Sequence, residues 1–161
     1  MDGLLTGPDG VTRCWWPGQD PMYVAYHDDE WGKPVHADAR LFEKLCLEGF
    51  QSGLSWLTIL RKRDNFRAAF AGFDPVAVAA FDDADVQRLL GDAGIVRHRG
   101  KITAAIANAA VVLDIAESHG SFAAFVWDFA PPARPRPTGL AEVPASTPES
   151  TALARALKRH G

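Results

Sequence analysis

The chain has 161 residues, 47% of them hydrophobic and 23% charged, proportions that fit one globular domain and exclude a disordered chain or a fibrous repeat. No apolar run reaches the ~20 residues of a membrane span, and the start MDGLLTGPDG lacks the regions of a signal peptide, so a cytoplasmic protein with no membrane partner is expected. The net charge of −3 argues mildly against a polyanionic partner, but Arg61, Lys62, Arg63 and Arg67 form one basic cluster and Arg97, His98, Arg99 and Lys101 a second, so a local basic face remains open.

Residues 1–12, rich in glycine and poor in anchoring apolar groups, read as a flexible leader, and residues 13–161 as one domain. From Cys14 to Trp31 the chain reads CWWPGQDPMYVAYHDDEW, which holds both tyrosines and three of the five tryptophans. Rings that combine a flat apolar face with a polar tip suit a pocket that grips something flat. Pro17, Gly18 and Pro21 keep the start of this stretch irregular, and a short helix is expected from Tyr23 to Trp31.

Asp38 is positioned as the N-cap of a helix running to about Gln51, with Leu41, Phe42, Leu45 and Cys46 inward. Two cysteines, Cys14 and Cys46, are too few for a disulfide framework, and Cys46 reads as a core residue. Gly53 breaks the pattern and Ser55 caps a helix from Trp56 to about Phe70. Asp74-Pro75 opens a short helix, and Asp82 or Asp83 caps the next, which ends near Gly91. Gly94 and Gly100 bracket a hairpin turn before a long helix whose apolar stripe is Ile102, Ile106, Ala109, Leu113 and Ala116. Ser121 caps a further helix, the run APPARPRPTG is a stiff connector, and Thr147-Pro148 starts a last helix through about Arg159. No convincing strand is found, so the fold class is all-α.

Four groups of residues could carry chemistry. Cys14 and His27 are zinc-type ligands, against a plain reading of a stray thiol and a surface histidine. Glu48 lies in the largely apolar LCLEGFQSGLSW, where an ionised acid must face a partner, a cavity or solvent. Asp28, Asp29 and Glu30 read as solvated or dipole-stabilising acids at a helix end. In the hairpin, backbone N–H groups between Gly94 and Gly100, with Arg97, Arg99 and Lys101, could hold a DNA phosphate, or the turn could be a solvated corner.

The blocks RCWW, QDPMYVAYHDDEWG, LFEKLCLEGFQSGLSW, TILRKR, DAGIVRHRGKI, FVWDF and STPESTALARALKRHG closely resemble, in order and spacing, the bacterial 3-methyladenine DNA glycosylase I family of the helix–hairpin–helix superfamily. The resemblance implies a helical monomer that hydrolyses the N-glycosidic bond of 3-methyladenine in double-stranded DNA. Glu48 corresponds to the acid that recognises the methylated base, and Trp16, Tyr23, Tyr26, Trp31 and Trp56 to rings around the base pocket. Leu54, on the break near Glu48, is the candidate wedge for the gap a flipped base leaves. The resemblance also implies a structural zinc ion, held in the family by equivalents of Cys14 and His27 plus a His and a Cys from a later segment. The sequence ends at Gly161, before that segment, so a half site is expected here. Two other classes of function remain open at this point. One is a non-catalytic helix–hairpin–helix DNA-binding protein, and the other a hydrolytic metal centre built from Cys14, His27 and the acid run.

Overall fold

The computed structural model describes residues 3–135 and 137–161. Among them are eight α-helices and one two-stranded sheet, which bears out the all-α class. The helices are α1 (Pro21–Asp29), α2 (Asp38–Gln51), α3 (Trp56–Ala69), α4 (Pro75–Ala79), α5 (Asp83–Gly91), α6 (Arg99–His119), α7 (Phe122–Trp127) and α8 (Pro148–His160). No described helix is long and apolar enough to cross a membrane.

Helix starts follow local side-chain chemistry. Ser55, Asp74, Asp82, Ser121 and Thr147 each accept a backbone N–H of the turn that follows, as their sequence positions require. Two starts differ from expectation. Helix α1 begins at Pro21, two residues earlier, because Asp20 accepts the N–H groups of Met22 and Tyr23 and proline at the first helical position has no N–H to lose. Asp38 is not the cap of α2: Ala37 occupies that position without a side-chain bond. The Asp38 carboxylate instead accepts the N–H groups of Phe122 at 3.0 Å and Ala123 at 2.8 Å, and so joins the start of α2 to the start of α7.

Helix α6 runs through the middle, packed by α2, α4, α5 and α7. Its buried face is Ile102, Ala105, Ala109, Val112 and Ile115. That stripe is turned from the expected one: Ile106, Leu113 and Ala116 are only half-buried at its edge, because small residues let neighbouring helices sit close over Ala105 and Ala109. Phe42, Phe50, Phe66, Phe70, Phe73 and Phe122 fill the space between helices. Cys46 belongs to this core, and burial pushes its thiol up to about 12, so it is held protonated.

The residues expected to form a strandless leader contain a hairpin, β1 (Leu4–Thr6) against β2 (Thr12–Cys14). Three-residue strands leave no period to read, and what fixes them is tertiary. Arg13 on β2 bonds Asp9 across the turn at 2.7 Å and Asp28 at the end of α1 at 2.8 Å.

Candidate active site

One cavity of about 790 Å³ opens between α1, α2 and α3. Trp16, Tyr23, Tyr26, Trp31, Trp56 and Glu48, all singled out from sequence, line it together. The rings come from four places: Trp16 from the loop before α1, the tyrosines from α1, Trp31 from the turn after it, and Trp56 from the first position of α3. Tyr23 and Tyr26 lie three apart on α1 and so share one face. Trp16 meets Tyr23 edge-on at 4.9 Å between centroids and Trp31 at 5.3 Å, so the rings hold one another in place. Tyr26 is 8% exposed and tilts against Trp56 at 5.6 Å. The Trp56 indole N–H is buried with no hydrogen-bond partner among the described residues.

Glu48 is the half-exposed acid of the cavity mouth, with its side chain 48% accessible. The enclosed acid of α2 is Glu43, five residues earlier and outside the stretch read as apolar, with its side chain 6% accessible. Glu43 accepts from Arg40 at 2.7 Å and from Arg67 at 2.9 Å. Glu30 sits beside it, taking a two-pronged bond from Arg63 at 2.7 and 2.8 Å. The Arg63 guanidinium holds the Glu30 carboxyl below its ordinary range. Of this charged floor, Arg40, Glu43 and the adjoining Trp127 were not singled out from sequence, and Glu30, Arg63 and Arg67 were read only as part of an acid run and a basic cluster. The signal was present as acids and arginines three or four positions apart on α2 and α3, but which acid meets which arginine is decided only when the helices pack.

The acid run does not act as one group. Asp28 faces Arg13 and His27, whereas Glu30 faces Arg63. Among the described residues no three His, Cys, Asp or Glu side chains gather as a metal centre. A hydrolytic metal site made from Cys14, His27 and the acids therefore has no basis in the geometry. Cys14 and His27 have a different setting. They adjoin the two members of the Arg13–Asp28 ion pair, one on β2 and one on α1. His27 Nδ1 bonds the Asp28 carboxylate at 2.8 Å while Nε2 is buried without a partner. A ring held this way by a carboxylate has its other nitrogen prepared to bind a cation. Arg13, and secondarily His27, hold the Asp28 carboxyl down at about 2.

The turn after α2 carries Leu54, whose apolar side chain is 42% exposed. Gly53 beside it has φ +81°, a conformation that favours glycine and lets the chain turn sharply into α3. Across the same face lies the α5–α6 hairpin. Gly94 leaves little room for a side chain, since a Cβ would stand 2.9 Å from the Asp92 carboxylate and 3.1 Å from Asn65 on α3. Lys62 donates to the Ala93 and Gly94 carbonyls and fixes the hairpin to α3. Arg97, Arg99 and Gly100 are exposed, and among the described residues neither arginine forms an ion pair. Lys101, grouped with them from sequence, points elsewhere: its ammonium donates to the carbonyls of Phe50 at 2.9 Å and Ser52 at 2.6 Å.

Fold and site together define a helical protein with a hairpin between two helices beside an aromatic cavity that bears a carboxylate. A family model described as methyladenine glycosylase matches residues 16–161. DNA-3-methyladenine glycosylase 1 of Escherichia coli strain K12 is 53% identical over 153 residues, covering 94% of this chain and 82% of that protein. A crystal structure of 3-methyladenine DNA glycosylase I superposes with a TM-score of 0.86 at 52% identity, covering 92% of this chain and 83% of its own. A point variant of such a glycosylase in complex with 3-methyladenine gives a TM-score of 0.86 at 34% identity, covering 92% and 81%. The chain belongs to the methyladenine glycosylase family.

Proposed function

We propose that the protein is a monofunctional DNA glycosylase that releases 3-methyladenine from alkylated double-stranded DNA, acting as a monomer. The observation that carries this reading is the convergence of five aromatic residues and Glu48 on one cavity. Methylation at N3 leaves the purine positively charged in the nucleotide. Electron-rich ring faces attract such a cation, by up to ~2 kcal/mol when desolvated, and Glu48 accepts its N–H groups. An uncharged adenine offers neither charge nor the methyl group, so it gains little from leaving the stack.

The positive charge makes the base a good leaving group. The C–N bond breaks with its electron pair going to the base, water adds to the sugar, and a proton goes to solvent. The protein's work is extraction and stabilisation, with no covalent intermediate. Leu54 fills the vacated place in the helix. The exposed hairpin, with Gly94, Arg97, Arg99 and Gly100, holds backbone phosphates, and Lys101 supports it from within. Cys14 and His27 would hold two positions of a structural zinc ion that ties β2 to α1, and no step of the reaction goes through it.

Measuring free 3-methyladenine liberated from alkylated DNA tests the assignment. Glu48→Gln removes a charge-assisted hydrogen bond of about 1.5–3 kcal/mol, so release should fall roughly 10- to 150-fold with the fold intact. An unchanged rate would remove Glu48 from the site. DNA binding by the natural chain without liberated base would favour a non-catalytic helix–hairpin–helix binding protein.

A further inference from the structure

Lys44 stands inside the site assigned above. Its Nζ lies 2.8 Å from Glu48 Oε1 and 3.0 Å from the Tyr26 hydroxyl. The same atom sits 3.8 Å from the centre of the Trp56 ring and 5.5 Å from that of Tyr26. A Lys–Glu pair four apart on an exposed helix is ordinary and of little consequence. Here the other partners come from α1 and α3, and all of them are groups assigned to the cationic base. The three N–H groups of an ammonium are thereby used by a carboxylate, a hydroxyl and a ring face. Burial pulls this ammonium down, yet its bonds to Glu48 and Tyr26 outweigh that and hold it above its ordinary value. It stays charged.

We propose that Lys44 is a resident cation that occupies the base-recognition site of the free protein and competes for it with the released base. The idea rests on the glycosylase reading and adds a product-release step to it. Before cleavage the base carries the positive charge and is tethered by the DNA, so it displaces one cation with another. The lysine side chain is 47% accessible, and a change of rotamer returns the ammonium to water. When the C–N bond breaks, the electron pair goes to the base, which becomes neutral, and the positive charge passes to the sugar. The neutral base loses its ionic attraction to Glu48 and its cation–π attraction to the rings. Lys44 keeps both, so the site favours its return and the base is expelled.

The test is calorimetric titration with 3-methyladenine at mildly alkaline pH, where the free base is uncharged, on the natural chain, Lys44→Met and Lys44→Gln. An ion pair plus a cation–π contact at a half-exposed site correspond together to roughly tenfold in affinity. Both variants should therefore bind the free base about tenfold tighter. In turnover, both should be inhibited by added 3-methyladenine at about a tenth of the concentration that inhibits the natural chain. Equal or weaker binding by folded Lys44→Met and Lys44→Gln, with base release intact, overturns the resident-cation role alone and leaves Lys44 as a helix ion pair. If the natural chain liberates no base from alkylated DNA, the glycosylase reading and the proposal fall together.

Discussion

Replacing Glu43 by glutamine tests whether the charged floor of the cavity holds α2 against α3. The carboxylate is 6% accessible and accepts from Arg40 Nη1 at 2.7 Å, Arg67 Nη2 at 2.9 Å and Arg67 Nε at 3.1 Å. Glutamine keeps the shape and one acceptor oxygen but turns an NH2 group toward a guanidinium, so at least one bond is lost and donors face each other. Breaking a fully buried pair costs about 3–5 kcal/mol. Arg67 and Arg40 are 30% and 44% accessible and can rehydrate, which places the expected cost lower, at about 2–3 kcal/mol. For a domain of this size that is a fall in Tm of roughly 4–12 °C. Urea unfolding followed by circular dichroism measures it directly, as a lower midpoint at unchanged slope. A double-mutant cycle with Arg67→Met then isolates the pair. A loss below about 0.5 kcal/mol would refute the reasoning, because it would mean that the arginines find equal partners in water.

Asp38→Ala removes both acceptors at the start of α7 and should cost about 1–2 kcal/mol in the same assay, whereas Asp38→Asn, with one acceptor oxygen, should cost less. Near-equal stability of the alanine variant and the natural chain would show that water replaces the link. Arg97→Gln combined with Arg99→Gln should weaken DNA binding similarly for all sequences and reduce the slope of log affinity against log salt by about two, as fits two lost phosphate contacts. A slope unchanged in a filter-binding series would remove both residues from the interface.

How much of the molecule was legible varied with the range of the interactions involved. Helix caps at Ser55, Asp74, Asp82, Ser121 and Thr147 were readable because cap and capped N–H lie within three residues. Asp38 misled because its carboxylate has two possible uses, and the partner that took it is more than eighty residues away. The hairpin at residues 4–14 was invisible for the same reason, since Arg13 owes its place to Asp28 and not to strand pattern. In the site, the aromatic residues were legible as types, because few core positions need Tyr or Trp. The acids were not separable in that way: Glu43 and Glu48 share one helix, and only packing shows which is enclosed and which faces the cavity mouth. Lys44 carries no signal in the sequence, because its second and third partners come from other elements.

Lys101 has an electrostatic consequence beyond its bracing of the hairpin. The last carbonyls of α2 form the negative pole of that helix, worth roughly half an elementary charge, and the Leu54 turn brings that pole to the face proposed to meet DNA. The ammonium bonded to Phe50 and Ser52 cancels it. In a chain of net charge −3, quenching a dipole that would repel phosphates leaves the positive charge of Arg97 and Arg99 on that face unopposed. The charge of Lys101 is used within the fold, at the end of α2.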